Sequence, residues 1–321
     1  MPEGLVYVSN LMSGTVSVID PEKRELKKNI PVGKYPVFSL GYPPDAKKIL
    51  VTLHNYEKKD GGGRLLLVDP SAGKIVRMIP YPGIAVPSGM VYDTKREFLY
   101  VADENLNRVW THNGRTLELT ASLAAGQAPV HVAISGEGDH LVVTNRMSAD
   151  LYVYDLEYLS GGAGDALPSA IPLSGTSGSS SHPYDVKFSA GPATCCITDF
   201  NAGELLIADI SRNRVTARIR LGDKPFGMAL DAEGERAYIC NMGSGSVSVI
   251  RLDRKKKVSE IQGLCTPCHC VIDERGGQLV VTDQGGTAGP GVHIIDMATE
   301  RIVRTISDKM IRSPIGVTLG V

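Results

Sequence analysis

The chain has 321 residues, 42% of them hydrophobic, which is enough for one large domain or two ordinary domains with a buried core. Its 34 Lys and Arg nearly balance its 35 Asp and Glu, and the net charge of −1 offers no basic surface for a phosphate backbone, so we expect no nucleic-acid partner. No apolar run approaches the roughly 18 residues that a membrane-spanning helix needs, so the sequence predicts no membrane partner.

Glycine and proline, with 35 and 19 copies, separate many short apolar runs, which is typical of an all-β protein. The clearest repeated module covers residues 221–253, where a proline-led run is followed by two alternating runs with turns between them. Proline-led runs begin about 42 to 54 residues apart, at Pro36, Pro87, Pro129, Pro183, Pro225, Pro267 and Pro314. This spacing predicts seven four-stranded propeller blades.

The second run of each module is the most regular. Its apolar and β-branched residues predict a strand, and most copies end at Asn or Asp, whose side chains bind turn amides. The seven second runs are 5–10, 49–54, 98–103, 140–145, 194–199, 236–241 and 278–283. Fourth runs such as 74–79, 214–220 and 301–306 are more polar, which is typical of outer edge strands.

The two ends of the chain supply different parts of one module. The sequence begins with a second run at Leu5 and finishes with a first run, 314–321. A ring joins these pieces, so we predict a single domain over 1–321: a seven-bladed β-propeller closed by the C-terminal strand joining three N-terminal strands.

Two segments, VYVSNLMSGTVSVID at 6–20 and AYICNMGSGSVSVI at 237–250, resemble the YVTN-repeat β-propeller family. That family is similar in shape to the seven-bladed lactonases and to the propeller domain of nitrite reductases. The resemblance covers nearly the whole chain and implies the propeller fold. For function it implies lyase or lactonase-type chemistry, although surface-layer proteins and binding modules share the repeat.

Two segments depart from the repeat. A Gly- and Ser-rich insertion at about 157–182 is expected to be a surface loop, or a lid over the channel, apart from a fourth strand near 169–173. The loop from His54 to Arg64 contains three glycines but lacks the lysine and serine of a phosphate-binding loop.

In a propeller the first strand of each blade lines the central channel, so residues just after each proline converge on one mouth. The second residues after the prolines are Phe38, Gly89, His131, Asp185, Gly227, His269 and Gly316. The three glycines leave room there. His182 precedes Pro183, and the loops after the second strands add His54, Glu104 and Arg146 to the same face.

Imidazoles and a carboxylate from separate blades suit a divalent transition metal such as Fe, Cu or Zn. The candidate ligands are His54, His131, His182, Asp185 and His269. Glu104, Arg146 and Tyr184 are candidates for general acid, general base or anion anchor. The alternative is a wet polar mouth that holds histidines without binding a metal.

Six cysteines cluster late in the chain rather than in a disulfide framework, which favours a cytoplasmic location unless a leader has been removed. Residues 265–269 spell C-x-x-C-H, but Pro267 is the repeat proline, so the motif begins a strand and covalent haem is not expected. Cys240, Cys265 and Cys268 could instead form a thiolate metal site. Cys268 and Cys270 should share one side of their strand, and Cys195, Cys196 and Cys270 fit as small buried residues.

Two classes of function follow. The first is a metal-dependent enzyme that acts on a small-molecule substrate at the channel mouth, by lyase or lactonase-type hydrolase chemistry or by metal-centred oxidation. The second is a non-catalytic scaffold that binds a protein, a peptide or a tetrapyrrole on the same face.

Overall fold

Seven four-stranded antiparallel sheets form the ring in the computed structural model, which describes residues 4–54, 62–159, 167–175, 181–191, 193–286 and 289–320. Blade 1 contains β1 (Val6–Asn10), β2 (Thr15–Asp20), β3 (Glu25–Pro31) and the last strand, β28 (Pro314–Leu319). Blade 2 contains β4 (Pro36–Gly41), β5 (Ile49–Leu53), β6 (Arg64–Asp69) and β7 (Lys74–Pro80), with a short 3-10 helix at Pro43–Asp45. Blade 3 contains β8 (Pro87–Asp93), β9 (Phe98–Asp103), β10 (Arg108–Asn113) and β11 (Leu119–Ala124).

The other four blades repeat this order. Blade 4 contains β12 (Pro129–Ile134), β13 (His140–Asn145), β14 (Asp150–Asp155) and β15 (Ser169–Pro172). Blade 5 contains β16 (Pro183–Phe188), β17 (Thr194–Asp199), β18 (Glu204–Asp209) and β19 (Arg214–Arg220). Blade 6 contains β20 (Pro225–Leu230), β21 (Arg236–Asn241), β22 (Ser246–Arg251) and β23 (Lys256–Ile261), and blade 7 contains β24 (Pro267–Asp273), β25 (Gln278–Asp283), β26 (Gly291–Asp296) and β27 (Arg301–Ile306).

The predicted closure of the ring is confirmed. β28 pairs with β1 in antiparallel register, with Val6 opposite Leu319 and Val8 opposite Val317. The amide of Gly320 also donates to the carbonyl of Leu5 at 2.7 Å. One sheet therefore joins the two ends of the polypeptide.

The hydrophobic core lies between neighbouring blades. Tyr7, Val16 and Val18 of blade 1, for example, pack with Ile49 and Val51 of blade 2, and all five are buried. Because successive side chains of a strand point to opposite faces, the alternating runs let each blade contact both of its neighbours. The polar fourth strands, such as β7, lie at the outer edge and are largely exposed, as the sequence predicted.

The Asn and Asp residues at the ends of the second strands hold the following turns. In blade 3, Oδ1 of Asp103 accepts the backbone amides of Val86, Asn105 and Leu106 at 3.0–3.1 Å. In blade 1, Nδ2 of Asn10 donates to a hydroxyl of the next strand, Ser17 Oγ, at 2.8 Å. These bonds explain why the sequence ends its second runs with these residue types.

The two departures from the repeat are described in part. The predicted fourth strand of blade 4 is confirmed as β15, Ser169–Pro172. Residues 160–166 and 176–180, where a lid was suggested, and residues 55–61 of the glycine loop lie outside the described residues. Among the residues that the structure describes, no helix is long and apolar enough to cross a bilayer.

Candidate functional site

A layer of side chains from the innermost strands lies across the central channel. It is formed by the second residue after each repeat proline, as predicted, and five of the seven positions line a central cavity: Phe38, Gly89, His131, Asp185 and His269. The rings of His131 and His269 are nearly parallel, with centroids 5.7 Å apart and an interplanar angle of 17°. The Phe38 ring meets both imidazoles edge-on, at 4.6 and 5.2 Å.

The three glycines of this layer do not leave room for a ligand, contrary to the expectation from sequence. A Cβ atom on Gly227 would lie 2.3 Å from Cδ2 of His269, and one on Gly89 would lie 3.1 Å from Cγ of His131. A Cβ on Gly316 would lie 2.3 Å from the carbonyl oxygen of Val37. The glycines are therefore needed because neighbouring strands and their imidazoles already occupy that space.

His131 and Asp185 form a close pair across two adjacent blades. Nδ1 of His131 lies 3.0 Å from Oδ1 of Asp185, and the carboxylate side chain is 1% exposed. The pair is an electrostatic contact, since Oδ1 has no hydrogen-bond partner among the described residues. Oδ2 accepts the amide of Met228 at 2.8 Å. A carboxylate at Nδ1 favours the tautomer with the proton on that nitrogen, which leaves Nε2 as a bare acceptor.

The charge of Asp185 is kept by its surroundings. Burial by itself raises the pKa of this carboxyl, but the positive charge of Lys187 and the adjacent His131, with a smaller contribution from His269, outweigh burial and lower the pKa. Asp185 therefore stays ionised at neutral pH and fixes the orientation of the His131 ring.

His269 is held in the same manner by a neutral partner. Its Nδ1 lies 3.1 Å from the carbonyl oxygen of Ile315, so Nδ1 is the donor and Nε2 the acceptor. Burial, reinforced by the nearby His131, lowers the pKa of His269 to about 3. Nε2 of His131 and Nε2 of His269 are both buried without a hydrogen-bond partner among the described residues. The layer thus presents two unused acceptor nitrogens.

The cavity has a volume of about 510 Å³ and extends from the histidine layer toward the far ends of the innermost strands, where Ser189 and Thr318 line it. Most of its wall is apolar or backbone. The exceptions near the histidines are Asp185 and Lys187, which lie two residues apart on β16. A pocket in which a few convergent polar groups lie among apolar side chains is typical of a small-molecule site.

The opposite end of the channel, where the innermost strands begin, is filled by apolar groups. Phe226, Cys268 and Ile315 pack there with Val37 and Phe38, together with the partly buried Leu11, Met90, Tyr184, Phe200 and Met242. The rings of Tyr184 and Phe226 are only 3.8 Å apart at their centroids. The cavity is therefore on the other side of the histidine layer from the mouth at which the sequence placed the site.

Glu104 and Arg146 form an ion pair at that apolar end. Nη2 of Arg146 lies 3.2 Å from Oε2 of Glu104, and Ser88 Oγ donates to Oε1 at 3.0 Å. Burial raises the pKa of Glu104, while Arg146 opposes this shift. Neither residue lines the cavity. Tyr184 does not line it either, although its ring centroid is 5.8 Å from that of His131.

His54 and His182 are not brought to the cavity. His54 is buried beside the carbonyl of Pro87, and burial lowers the pKa of its imidazole to about 3. The backbone of His182 bridges to the second strand, since its amide donates to Oδ1 of Asp199 and its carbonyl accepts from Phe200. Of the five residues predicted to bind a metal, the structure therefore assembles three: His131, Asp185 and His269.

The donor atoms of the three assembled residues do not make up a set of three metal ligands. Within the described ranges, no group of three His, Cys, Asp or Glu side chains has the geometry to hold a metal ion. The reason is visible in the donor set, because Asp185 already faces Nδ1 of His131 and the amide of Met228. The two Nε2 atoms remain, whereas even an open catalytic zinc site uses three protein ligands.

The cysteines are distributed over separate environments. Cys240 and Cys270 are buried together in the core between blades 6 and 7, whereas Cys268 packs in the apolar end of the channel and Cys265 is exposed. Cys268 and Cys270 both lie near enough to Cys240 to raise the pKa of its thiol, and the register of β24 shifts between Pro267 and Cys270. Burial raises the pKa values of Cys240 and Cys268. Cys195, Cys196 and Cys270 are buried small residues, as predicted.

Lys187 is the site residue that the sequence analysis missed. It follows Asp185 by two positions on the innermost strand of blade 5, so the period of two along a strand places both side chains on the channel side. The signal was present in the sequence, because every second residue after Asp185 should face the channel.

The comparison with known families agrees with this architecture. The family model described as a YNCE-like beta-propeller matches residues 3–319. The chain belongs to the YNCE-like β-propeller family. The resemblance to a repeat propeller that its sequence motifs indicated is thereby confirmed. No curated protein matches this YNCE-like propeller in sequence.

Solved structures of similar fold include proteins with different roles. Hydrazine synthase of Kuenenia stuttgartiensis matches with a TM-score of 0.72 and 19% identity, over 91% of this chain and 92% of that one. Dihydro-heme d1 dehydrogenase NirN, in complex with DHE, matches with a TM-score of 0.69 and 16% identity, over 99% of this chain and 76% of that one. A functionally unknown protein from Desulfotomaculum acetoxidans DSM 771 has a TM-score of 0.76 at 10% identity, over 99% of each chain. At these identities the similarity concerns the fold alone.

Proposed function

We propose that this YNCE-like propeller is a small-molecule hydrolase of the lactonase type, with its site in the central cavity and Nε2 of His131 as the general base. The observation that carries the proposal is the pair of His131 and Asp185, whose Nδ1 and Oδ1 atoms are 3.0 Å apart while Nε2 is buried and unpartnered. Carboxylate-oriented imidazoles of this kind accept protons from bound water or substrate.

The proposed lactone hydrolysis needs neither an oxidant nor a reductant. Nε2 of His131 takes a proton from a water molecule, whose oxygen attacks the carbonyl carbon of a bound lactone. The ring C–O bond then breaks, and the imidazolium returns the proton to the leaving alkoxide oxygen. One lactone and one water give one hydroxy acid, and Asp185 stabilises the imidazolium while it exists.

The proposal uses no metal. A site for Fe, Cu or Zn was expected from the histidines, but the assembled side chains do not supply three ligands, so no step is derived through an ion. The hydrolytic reaction thus depends on the protein's own acid and base groups.

A non-catalytic scaffold that binds a tetrapyrrole is the second candidate. It is favoured by His269, whose Nδ1 is fixed by the Ile315 carbonyl at 3.1 Å and whose Nε2 has no partner among the described residues, so that Nε2 would be able to bind the metal of a tetrapyrrole. NirN, a propeller of similar fold, was solved in complex with DHE.

The two candidates are separated by turnover and by titration. Wild-type protein and the His131→Asn variant would be incubated with a panel of five- to seven-membered lactones, and acid release would be followed by a pH-stat. Hydrolysis that falls about 10²- to 10⁴-fold in the variant supports the proposal. No hydrolysis by the wild type, or equal hydrolysis by both proteins, overturns it. If the wild type hydrolyses no lactone but binds one equivalent of haem, the non-catalytic scaffold is favoured.

A further inference from the structure

Lys187 places a cation in the cavity beside the histidines. It lies on β16, where it pairs across the sheet with Cys196, and its side chain is among those that line the cavity. The described part of the chain provides no carboxylate within 4.0 Å of its ammonium group and no hydrogen bond to it. The charge of Lys187 lowers the pKa values of both Asp185 and His269, which is consistent with its closeness to them.

Asp185 does not satisfy this cation by direct contact. Its Oδ2 accepts the amide of Met228 at 2.8 Å, and its Oδ1 faces Nδ1 of His131 at 3.0 Å. An ammonium group has three donors and attracts a negatively charged acceptor. Among the described residues, the cavity thus combines a cation without a direct ion pair and two imidazole nitrogens without a hydrogen-bond partner.

We propose that the cavity binds a small carboxylic acid that carries hydroxyl groups, with its carboxylate at Lys187 and a hydroxyl donating to Nε2 of His131 or His269. This inference rests on the proposed function, because such an acid is the product of lactone opening. The three groups act as complementary contacts: Lys187 supplies charge and donors, and the Nε2 atom of each histidine supplies an acceptor. The volume of about 510 Å³ accommodates a molecule of six or seven carbon atoms.

Three probes test the charge and the hydroxyl groups separately. Gluconate has both, gluconamide has the hydroxyls without the charge, and hexanoate has the charge without the hydroxyls. Dissociation constants would be measured by calorimetry at pH 7 for the wild type and for Lys187→Met. Lys256→Met is the matched control, since Lys256 is exposed on the outer strand β23.

We expect the wild type to bind gluconate about tenfold or more tightly than either other probe. Lys187→Met should weaken gluconate binding about 10- to 100-fold and leave gluconamide unchanged, because one charge-assisted contact is lost. The Lys256→Met control should bind like the wild type. The inference is overturned if gluconate does not bind, if it binds no more tightly than gluconamide, or if it binds Lys187→Met as tightly as the wild type.

The outcomes are distinguishable from failure of the proposed hydrolase. If a lactone is opened in a His131-dependent reaction but gluconate does not compete, the reaction stands and the acid at Lys187 is wrong. If gluconate binds through Lys187 but no lactone is opened, the ligand class stands and the hydrolase is wrong.

Discussion

Nδ1 of His131 lies 3.0 Å from Oδ1 of Asp185 on the next blade of the ring. The carboxyl group is buried, and its other oxygen is held by the amide of Met228. A buried carboxylate in this position fixes the orientation of the imidazole beside it. The effect of removing the carboxylate on turnover can therefore be measured.

Replacing Asp185 by Asn should slow lactone turnover about 10- to 10³-fold with little change in the Michaelis constant, because the amide no longer stabilises the imidazolium. The Asn side-chain oxygen can still accept the amide of Met228, so the fold should persist. Steady-state kinetics and circular dichroism test this. A change confined to the Michaelis constant would contradict an orienting role.

Acid should destabilise the folded state through His269. The pKa of its imidazole is about 3 in the folded protein, against about 6.5 in an unfolded chain. Between these values the unfolded chain binds a proton that the folded protein does not. The contribution of His269 to the free energy of unfolding therefore decreases as the pH falls below about 6.5. This contribution is fully present above pH 6.5.

The measurement is urea unfolding at pH 7, 5 and 4 for the wild type and for His269→Gln. One proton bound only by the unfolded chain contributes about 1.4 kcal/mol per pH unit, so the variant should lose about 3 kcal/mol less stability than the wild type between pH 7 and 4. His54, with a pKa of about 3, and His112, with a pKa of about 4, contribute equally to both proteins. Parallel pH profiles would argue against a neutral buried His269.

Gly227→Ala should destabilise the ring and displace His269. Its Cβ would lie 2.3 Å from Cδ2 of that imidazole and 2.8 Å from the carbonyl oxygen of Cys268, so something must move. We expect a loss of about 1–3 kcal/mol in the free energy of unfolding. Gly136→Ala is the control, because its Cβ would meet nothing within 4 Å. Equal midpoints in urea for the two variants would refute the packing argument.

Deletion of residues 314–321 should prevent soluble folding, since blade 1 would lose β28, which pairs with β1 and closes the ring. The comparison is with the full chain expressed under the same conditions, and the measurement is the soluble fraction with its far-ultraviolet spectrum. A soluble, cooperatively unfolding truncation would show that closure is dispensable.

Metal content is a separate prediction. Protein purified without added metal or an affinity-tag nickel should contain well under one equivalent of Fe, Cu or Zn, since the described side chains provide no three-ligand group. Elemental analysis by mass spectrometry tests this. A stoichiometric ion that is lost on joint replacement of His131 and His269 by alanine would restore the metal-dependent interpretation.

Much of the fold was predictable because the repeat is encoded in local residue types. The prolines mark where the innermost strands begin, and Asn10, Asp103 and their equivalents mark where the second strands end. The same alternation placed His131, Asp185 and His269 in one layer correctly. The same period of two also predicts that Lys187, two residues after Asp185, faces the channel.

The alternation of side chains along a strand did not predict which residues line the mouth of the channel. The register shifts near the start of the innermost strands, as between Pro225 and Met228 and between Pro267 and Cys270. Phe226 and Cys268 lie within these shifted segments and pack at the apolar end of the channel. The directions of His54 and His182 depend on loop geometry, which strand periodicity does not fix.

The pairing of β28 with β1 also bears on how the protein is made. During synthesis on the ribosome, β1, β2 and β3 emerge first, but the inner edge of their sheet stays unpaired until the final strand leaves the exit tunnel. Six blades are thus complete while the first exposes an open backbone edge, which is the kind of surface that recruits chaperones or neighbouring nascent chains.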